Sequence, residues 1–115
     1  MLQEYLAAEF VKLIDQYYPE TGKVLQYCYV RVLEYYVKKL RKSSYYLGIY
    51  YPKQKFFELQ NQQDALKEVA ENMGLIDIVY VNADRIIRDP LSQIKQDNPR
   101  LWLELYWVST QVFSD

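Results

Sequence analysis

KVLQYCYVRVLEYYVKKLRK, residues 23–42, separates the fold classes open to this chain. On a helical wheel its polar side chains, Lys23, Arg31, Glu34, Lys38, Arg41 and Lys42, gather in a narrow arc. Leu25, Cys28, Tyr29, Val32, Leu33, Tyr35, Tyr36, Val37 and Leu40 fill well over half of the wheel. The spacing predicts a helix over 23–42 whose apolar surface is too wide for one neighbour. Such a helix touches the preceding helix and either a sheet or another chain.

Towards the N-terminus, Leu2, Leu6, Phe10, Leu13, Ile14 and Tyr17 share one half of a wheel, while Glu4, Glu9, Lys12, Asp15 and Gln16 share the other. That predicts an amphipathic helix over 2–18, ended by Pro19-Glu20-Thr21-Gly22. So short a connection makes the two helices an antiparallel hairpin. Towards the C-terminus, SYYLGIYY at 44–51 alternates as a strand, with Tyr45, Leu47, Ile49 and Tyr51 on one face and Tyr46, Gly48 and Tyr50 on the other. Pro52-Lys53-Gln54-Lys55 reads as a turn, and Phe56–Leu59 as a returning strand.

Residues 62–73 repeat Leu66, Val69, Ala70 and Met73 at helical spacing, with Asn61 placed to cap and Gly74 placed to end the helix. LIDIVYV, 75–81, reads as a strand buried on both faces and parallel to 44–51. Asp89-Pro90 and Asn98-Pro99 each resemble a cap followed by a first-turn proline, predicting helices near 90–97 and 99–112, although the tail LWLELYWVSTQVF is rich enough in β-formers to suit a strand. The expected fold is a single α+β domain over 1–115, with the N-terminal antiparallel helical hairpin packed on a small mixed sheet and further helices towards the C-terminus.

Composition narrows the chemistry. The chain has no histidine, which removes His-based triads and Cys/His zinc sites. Its three glycines, Gly22, Gly48 and Gly74, are too far apart for a phosphate-cradling loop. Glu58, Asp77, Asp84 and Asp89 are the carboxylates that could gather around a divalent cation, but turn and capping roles explain them equally well. The single cysteine, Cys28, falls in an apolar stretch and reads as an inert core thiol in a reducing compartment. Without a signal sequence or an apolar run near 20 residues, the expectation is a cytoplasmic protein without a membrane partner. No cofactor and no catalytic or metal-binding residue is expected.

Two features point to binding. Eleven of the 13 tyrosines lie between Tyr5 and Tyr51. Tyrosine suits interfaces because its ring buries area while its hydroxyl stays satisfied. Tyr17, Tyr18, Tyr35 and Tyr36 are therefore candidate contacts of a self-associating protein, a homodimer, or of a complex with another protein. The charge is also uneven. Residues 1–28 carry net −2, residues 29–56 net +6 and residues 57–115 net −5. Arg31, Lys38, Lys42, Lys53 and Lys55, interleaved with Tyr46 and Tyr50, could contact phosphates and stack on unpaired bases. The same cations serve as an ordinary solvated face, with Glu34 and Lys38 as an i,i+4 helix pair. A non-catalytic interaction protein is the first expectation, and a nucleic-acid-binding protein the alternative.

Overall fold

A computed structural model describes residues 2–111 of the chain. Three strands, β1 (Tyr29–Val37), β2 (Lys42–Tyr51) and β3 (Ile78–Asn82), form one mixed sheet in that order. β1 and β2 are antiparallel, with Tyr29 opposite Tyr50 and Val37 opposite Lys42. β2 and β3 are parallel, as expected, with Leu47 opposite Ile78.

Helices cover both faces, so the fold is α+β. On one face lie α1 (Leu2–Tyr17), α2 (Pro19–Leu25), α3 (Phe56–Gln60) and α4 (Gln63–Asn72). Phe10, Ile14, Leu25, Leu47, Ile49, Leu59 and Leu66 form the core between them and the sheet. On the other face lie α5 (Ala83–Arg88), α6 (Ile94–Asp97) and α7 (Pro99–Thr110). A smaller core there joins Ala83, Leu101, Leu105 and Val108 to Tyr50 of β2.

The N-terminal helices pack on the sheet, but the helix expected over 23–42 is not formed. It is replaced by α2, which begins at Pro19 and ends at Leu25, and by β1, so the expected break Pro19–Gly22 is itself the first turn of a short helix and no hairpin of two long helices forms. Val30, Val32, Tyr35, Tyr36 and Val37 are β-branched or aromatic, and such side chains lose rotamer freedom in a helix and fit a pleated surface. The over-wide apolar arc was two sheet faces projected onto a cylinder. A four-residue loop closes the β1–β2 hairpin through a 3₁₀ turn, Lys38–Leu40, and Arg41 in the left-handed region at φ 48°. In an extended strand Glu34 and Lys38 stand about 13 Å apart. The expected helical ion pair between them is absent among the described residues.

Other expectations shift in smaller ways. Phe56–Leu59 is not a returning strand. A 3₁₀ turn at Lys53–Lys55 leads straight into α3, which buries Leu59 and leaves Phe57 exposed. β3 is not buried on both faces but is an edge strand, with Val79 43% exposed. Asn61 does not cap α4 but ends α3. Asp89 turns the chain by accepting from the Leu91 amide at 2.9 Å, so helix α6 begins only at Ile94. Asn82, not Asp89, is the cap that starts a helix here, accepting from the Asp84 amide at 2.9 Å.

Three signals read in the sequence are found as expected. Gly74 ends α4 at φ 80°, with its own amide bonded to Glu71 and that of Leu75 bonded to Ala70, the double bond of a Schellman cap. Asn98 caps α7 by accepting from Leu101, with Pro99 in the first turn. Tyr46, Gly48 and Tyr50 share a sheet face opposite to that of Leu47 and Ile49. Residue 112, the expected end of the last helix, lies outside the described residues.

Candidate functional site

The hydrogen-bond directions of the sheet show which main-chain groups are left over. The Leu47 amide donates to Asp77 at 2.9 Å and the Tyr45 carbonyl accepts from Ile76 at 2.8 Å. Odd-numbered residues of β2 thus face β3, and even-numbered ones face β1. Their partners on β1, Tyr29, Arg31, Leu33, Tyr35 and Val37, point inwards. Val30, Val32, Glu34 and Tyr36 therefore turn their N–H and C=O groups out along the β1 edge of the sheet.

That edge is the floor of a groove of about 730 Å³. Residues 29–34 line its base, Gln3, Glu4 and Ala7 of α1 form one wall, and Asn98, Arg100, Leu101 and Glu104 of α7 form the other. Arg31 and Glu34 place charges on that edge and Val32 is only 3% exposed, so the edge is partly protected. It contains no proline, no lysine and no bulge across its nine paired residues. Beyond Glu34 the strand leaves the groove and continues with β2 as a ribbon, where Tyr35 and Tyr36 are 57% and 55% exposed.

The ribbon ends in Lys38, Lys39, Leu40, Arg41 and Lys42, all exposed, with Leu40 71% exposed at the apex. None of these four cations is in an ion pair among the described residues. On the face that carries α7, Arg31, Leu33, Tyr35, Lys42 and Tyr46 share the half of the sheet that the helix leaves uncovered.

The structure therefore divides both groups of candidate residues. Tyr35 and Tyr36 stand on the ribbon. Tyr17 ends α1 and Tyr18 follows it, and because the N-terminus of α1 borders the groove they lie about 20 Å from Glu4. Tyr18 donates to the Glu68 carboxylate, which raises its hydroxyl pKa, whereas Tyr17 is exposed. Arg31, Lys38, Lys42 and Tyr46 lie on or near one sheet face. Tyr50 is on that face but is buried beneath α7, its ring 6.0 Å from that of Tyr29. Lys53 and Lys55 follow the far end of β2, about 30 Å from Lys42. Lys55 is 3.4 Å from the Glu58 carboxylate and 4.6 Å above the Tyr27 ring.

The groove walls were not legible in the sequence, because they belong to helices that meet only across the sheet. A further apolar surface lies on the outside of α7, where Leu103, Tyr106 and Trp107 are exposed and Lys95 sits 4.7 Å over Trp102.

The expected carboxylates are dispersed. Glu58 pairs with Lys55, Asp77 accepts from the Ile78 amide and Asp89 closes its turn. Asp84 is buried at the start of α5 with one carboxylate oxygen unbonded. No group of three or more metal-ligating side chains forms among the described residues. No helix among them is long and apolar enough to cross a membrane.

Cys28 is buried with its Sγ 3.8 Å from the Val24 carbonyl. Burial pushes its thiol from 9.0 up to about 12, against a weaker downward pull from Lys55. Burial, aided by Asp77, likewise raises the Tyr80 hydroxyl from 10.0 to about 12. The unfolded chain releases these protons at their ordinary values and the folded chain holds them. Stability is then complete below about pH 9 and falls as pH rises towards 12. The urea midpoint should drop between about pH 8 and about pH 10.5, and Cys28→Ala should shrink that drop. An unchanged drop in the variant would place the alkaline sensitivity elsewhere.

Comparison with protein-family models, curated proteins and solved structures found no match for the chain.

Proposed function

We propose that this chain is a non-catalytic interaction protein that associates with itself by adding a strand at the free edge of β1. The supporting observation is the row of outward main-chain groups from Val30 to Tyr36, without proline, lysine or a bulge and set at the base of a groove between α1 and α7. An unpaired edge is a template for another strand, in which main-chain hydrogen bonds supply affinity and flanking side chains supply selectivity. Tyr35 and Tyr36, exposed at the protruding end, would lie in such a contact. Sedimentation velocity should show a dimer at tens of micromolar. A monomer throughout the high-micromolar range would remove the reading.

One observation favours a second reading. The ribbon tip concentrates Lys38, Lys39, Arg41 and Lys42, with Tyr35 and Tyr46 on the adjoining open face. Four phosphate contacts would give a log–log salt slope near −3 on single strands, at about −0.7 per contact. Fluorescence anisotropy with single-stranded and duplex oligonucleotides at low salt separates the readings. Absence of binding below about 100 μM, the weak end of non-specific contacts, would leave the tip a solvated surface.

A further inference from the structure

We infer that the open half of the sheet face beside α7 is a platform for single-stranded nucleic acid, where unpaired bases stack on Tyr35 and Tyr46 and the phosphates meet Arg31 and Lys42. The inference rests on the nucleic-acid reading of the ribbon tip, and it names the strand type and the surface that selects it.

Alternation along the ribbon sorts its side chains by charge. Arg31, Leu33, Tyr35 and Val37 of β1 share one face with Lys42, Ser44, Tyr46 and Gly48 of β2. Glu34, the one carboxylate in these two strands, shares the opposite face with Val30 and Val32 of the larger core. The first face therefore takes cations and no carboxylate from the ribbon. Neither Arg31 nor Lys42 is in an ion pair among the described residues. Helix α7 covers only the far end of this face, over Tyr29 and Tyr50, and leaves Tyr35 57% exposed.

Both ends of the open strip are basic. Arg31 and Arg100 lie near the Tyr29 hydroxyl where α7 begins, with Glu104 as the carboxylate beside them. Lys42 marks the other end, about 20 Å along the strands from Arg31, and the tip cations Lys38, Lys39 and Arg41 continue from it. An anionic chain laid along the strip meets positive charge at each end and two rings between.

The spacing of the rings selects the strand type. Tyr46 is opposite Leu33 and Tyr35 is opposite Ser44, so the two rings are diagonal neighbours about 7 Å apart. Bases in a duplex follow one another at about 3.4 Å and cover each other's faces. A duplex thus offers these rings nothing to stack on, whereas an extended single strand can set a base on each.

Fluorescence anisotropy with a labelled oligothymidine and a duplex of equal length tests the platform. Tyr35→Ala and Tyr46→Ala should each weaken single-strand binding about five- to a hundred-fold, the value of one stacked base, and leave duplex binding unchanged. Tyr36→Ala, 55% exposed on the wild-type ribbon but on the opposite face, should change neither. Tyr46→Phe keeps the ring and should bind the single strand as the parent chain does, which separates lost stacking from lost folding. Lys42→Ala should weaken binding of both probes and flatten the single-strand salt slope by about 0.7. If binding persists but Tyr35→Ala and Tyr36→Ala behave alike, or the tyrosine variants lose duplex binding equally, the platform is wrong and the basic tip still carries the nucleic-acid reading. If neither probe binds below about 100 μM, both fall.

Discussion

Phe10→Ala should cost about 3–5 kcal/mol of folding stability, the range for removing a fully buried aromatic ring. Phe10 is completely buried in the larger core, where α1 meets the sheet and α4. The ring cannot be replaced by collapse, because Ile14, Leu47, Ile49 and Leu66 around it are equally buried and fixed by separate elements. A chain of this size has only about 5–15 kcal/mol in total. At roughly 4 °C per kcal/mol, the melting temperature should fall by about 12–20 °C. Tyr5→Ala, on the exposed side of the same helix, should stay within about 0.5 kcal/mol. Thermal unfolding of the two variants side by side checks the packing of α1, and equal losses would refute it.

Glu34→Pro should abolish self-association while leaving the protomer folded. Proline lacks an N–H, so its effect depends on where that group points. At Glu34 it points away from β2, to the free edge, where a proline is tolerated. The substitution occurs twice in a dimer, and each copy leaves a partner carbonyl unbonded at about 1–3 kcal/mol. The combined loss of about 2–6 kcal/mol weakens association by roughly 30-fold to more than a thousand-fold. Tyr35→Pro, one residue on, removes an amide that bonds β2 and should lower protomer stability instead. Sedimentation and melting of both variants decide the matter. Two variants that behave alike would mean that the strand does not alternate as described.

The contrast between those neighbours also shows what could be read from the sequence. Helix α4 was legible because its apolar spacing, its length and Gly74 agree, and α7 because Asn98-Pro99 marks its start. The strand expected over 44–51 announced itself through alternation, and β2 begins two residues earlier, at Lys42. Residues 29–37 did not, because YVRVLEYYV is apolar enough to satisfy helical and strand periods together. Its hairpin loop is closed by Arg41 rather than by the glycine or asparagine that usually marks a left-handed residue. The site followed the same logic. Tyr35 and Tyr36 could be singled out by type, but an unpaired edge belongs to strand order, and strand order is set by contacts between residues far apart in the chain. The basic segment misled for the same reason: ten residues of β2 carry Lys53 and Lys55 to the opposite end of the sheet from Lys42.

The division of the core by the sheet has a consequence for how the protein opens. The C-terminal helices rest on a small cluster, Ala83, Leu101, Leu105 and Val108 against Tyr50, and they are consecutive in the chain. Outside that cluster, the Gln111 side-chain amide holds the Tyr27 carbonyl at 2.8 Å. Detachment of such a unit would leave the larger core in place, so it should behave as a separate cooperative segment in native-state hydrogen exchange. Amides of α7 should exchange at a lower free energy than those of β2 at Leu47 and Ile49. Because Arg100 and Glu104 form one wall of the β1 groove, each opening of that segment would also unmake half of the groove.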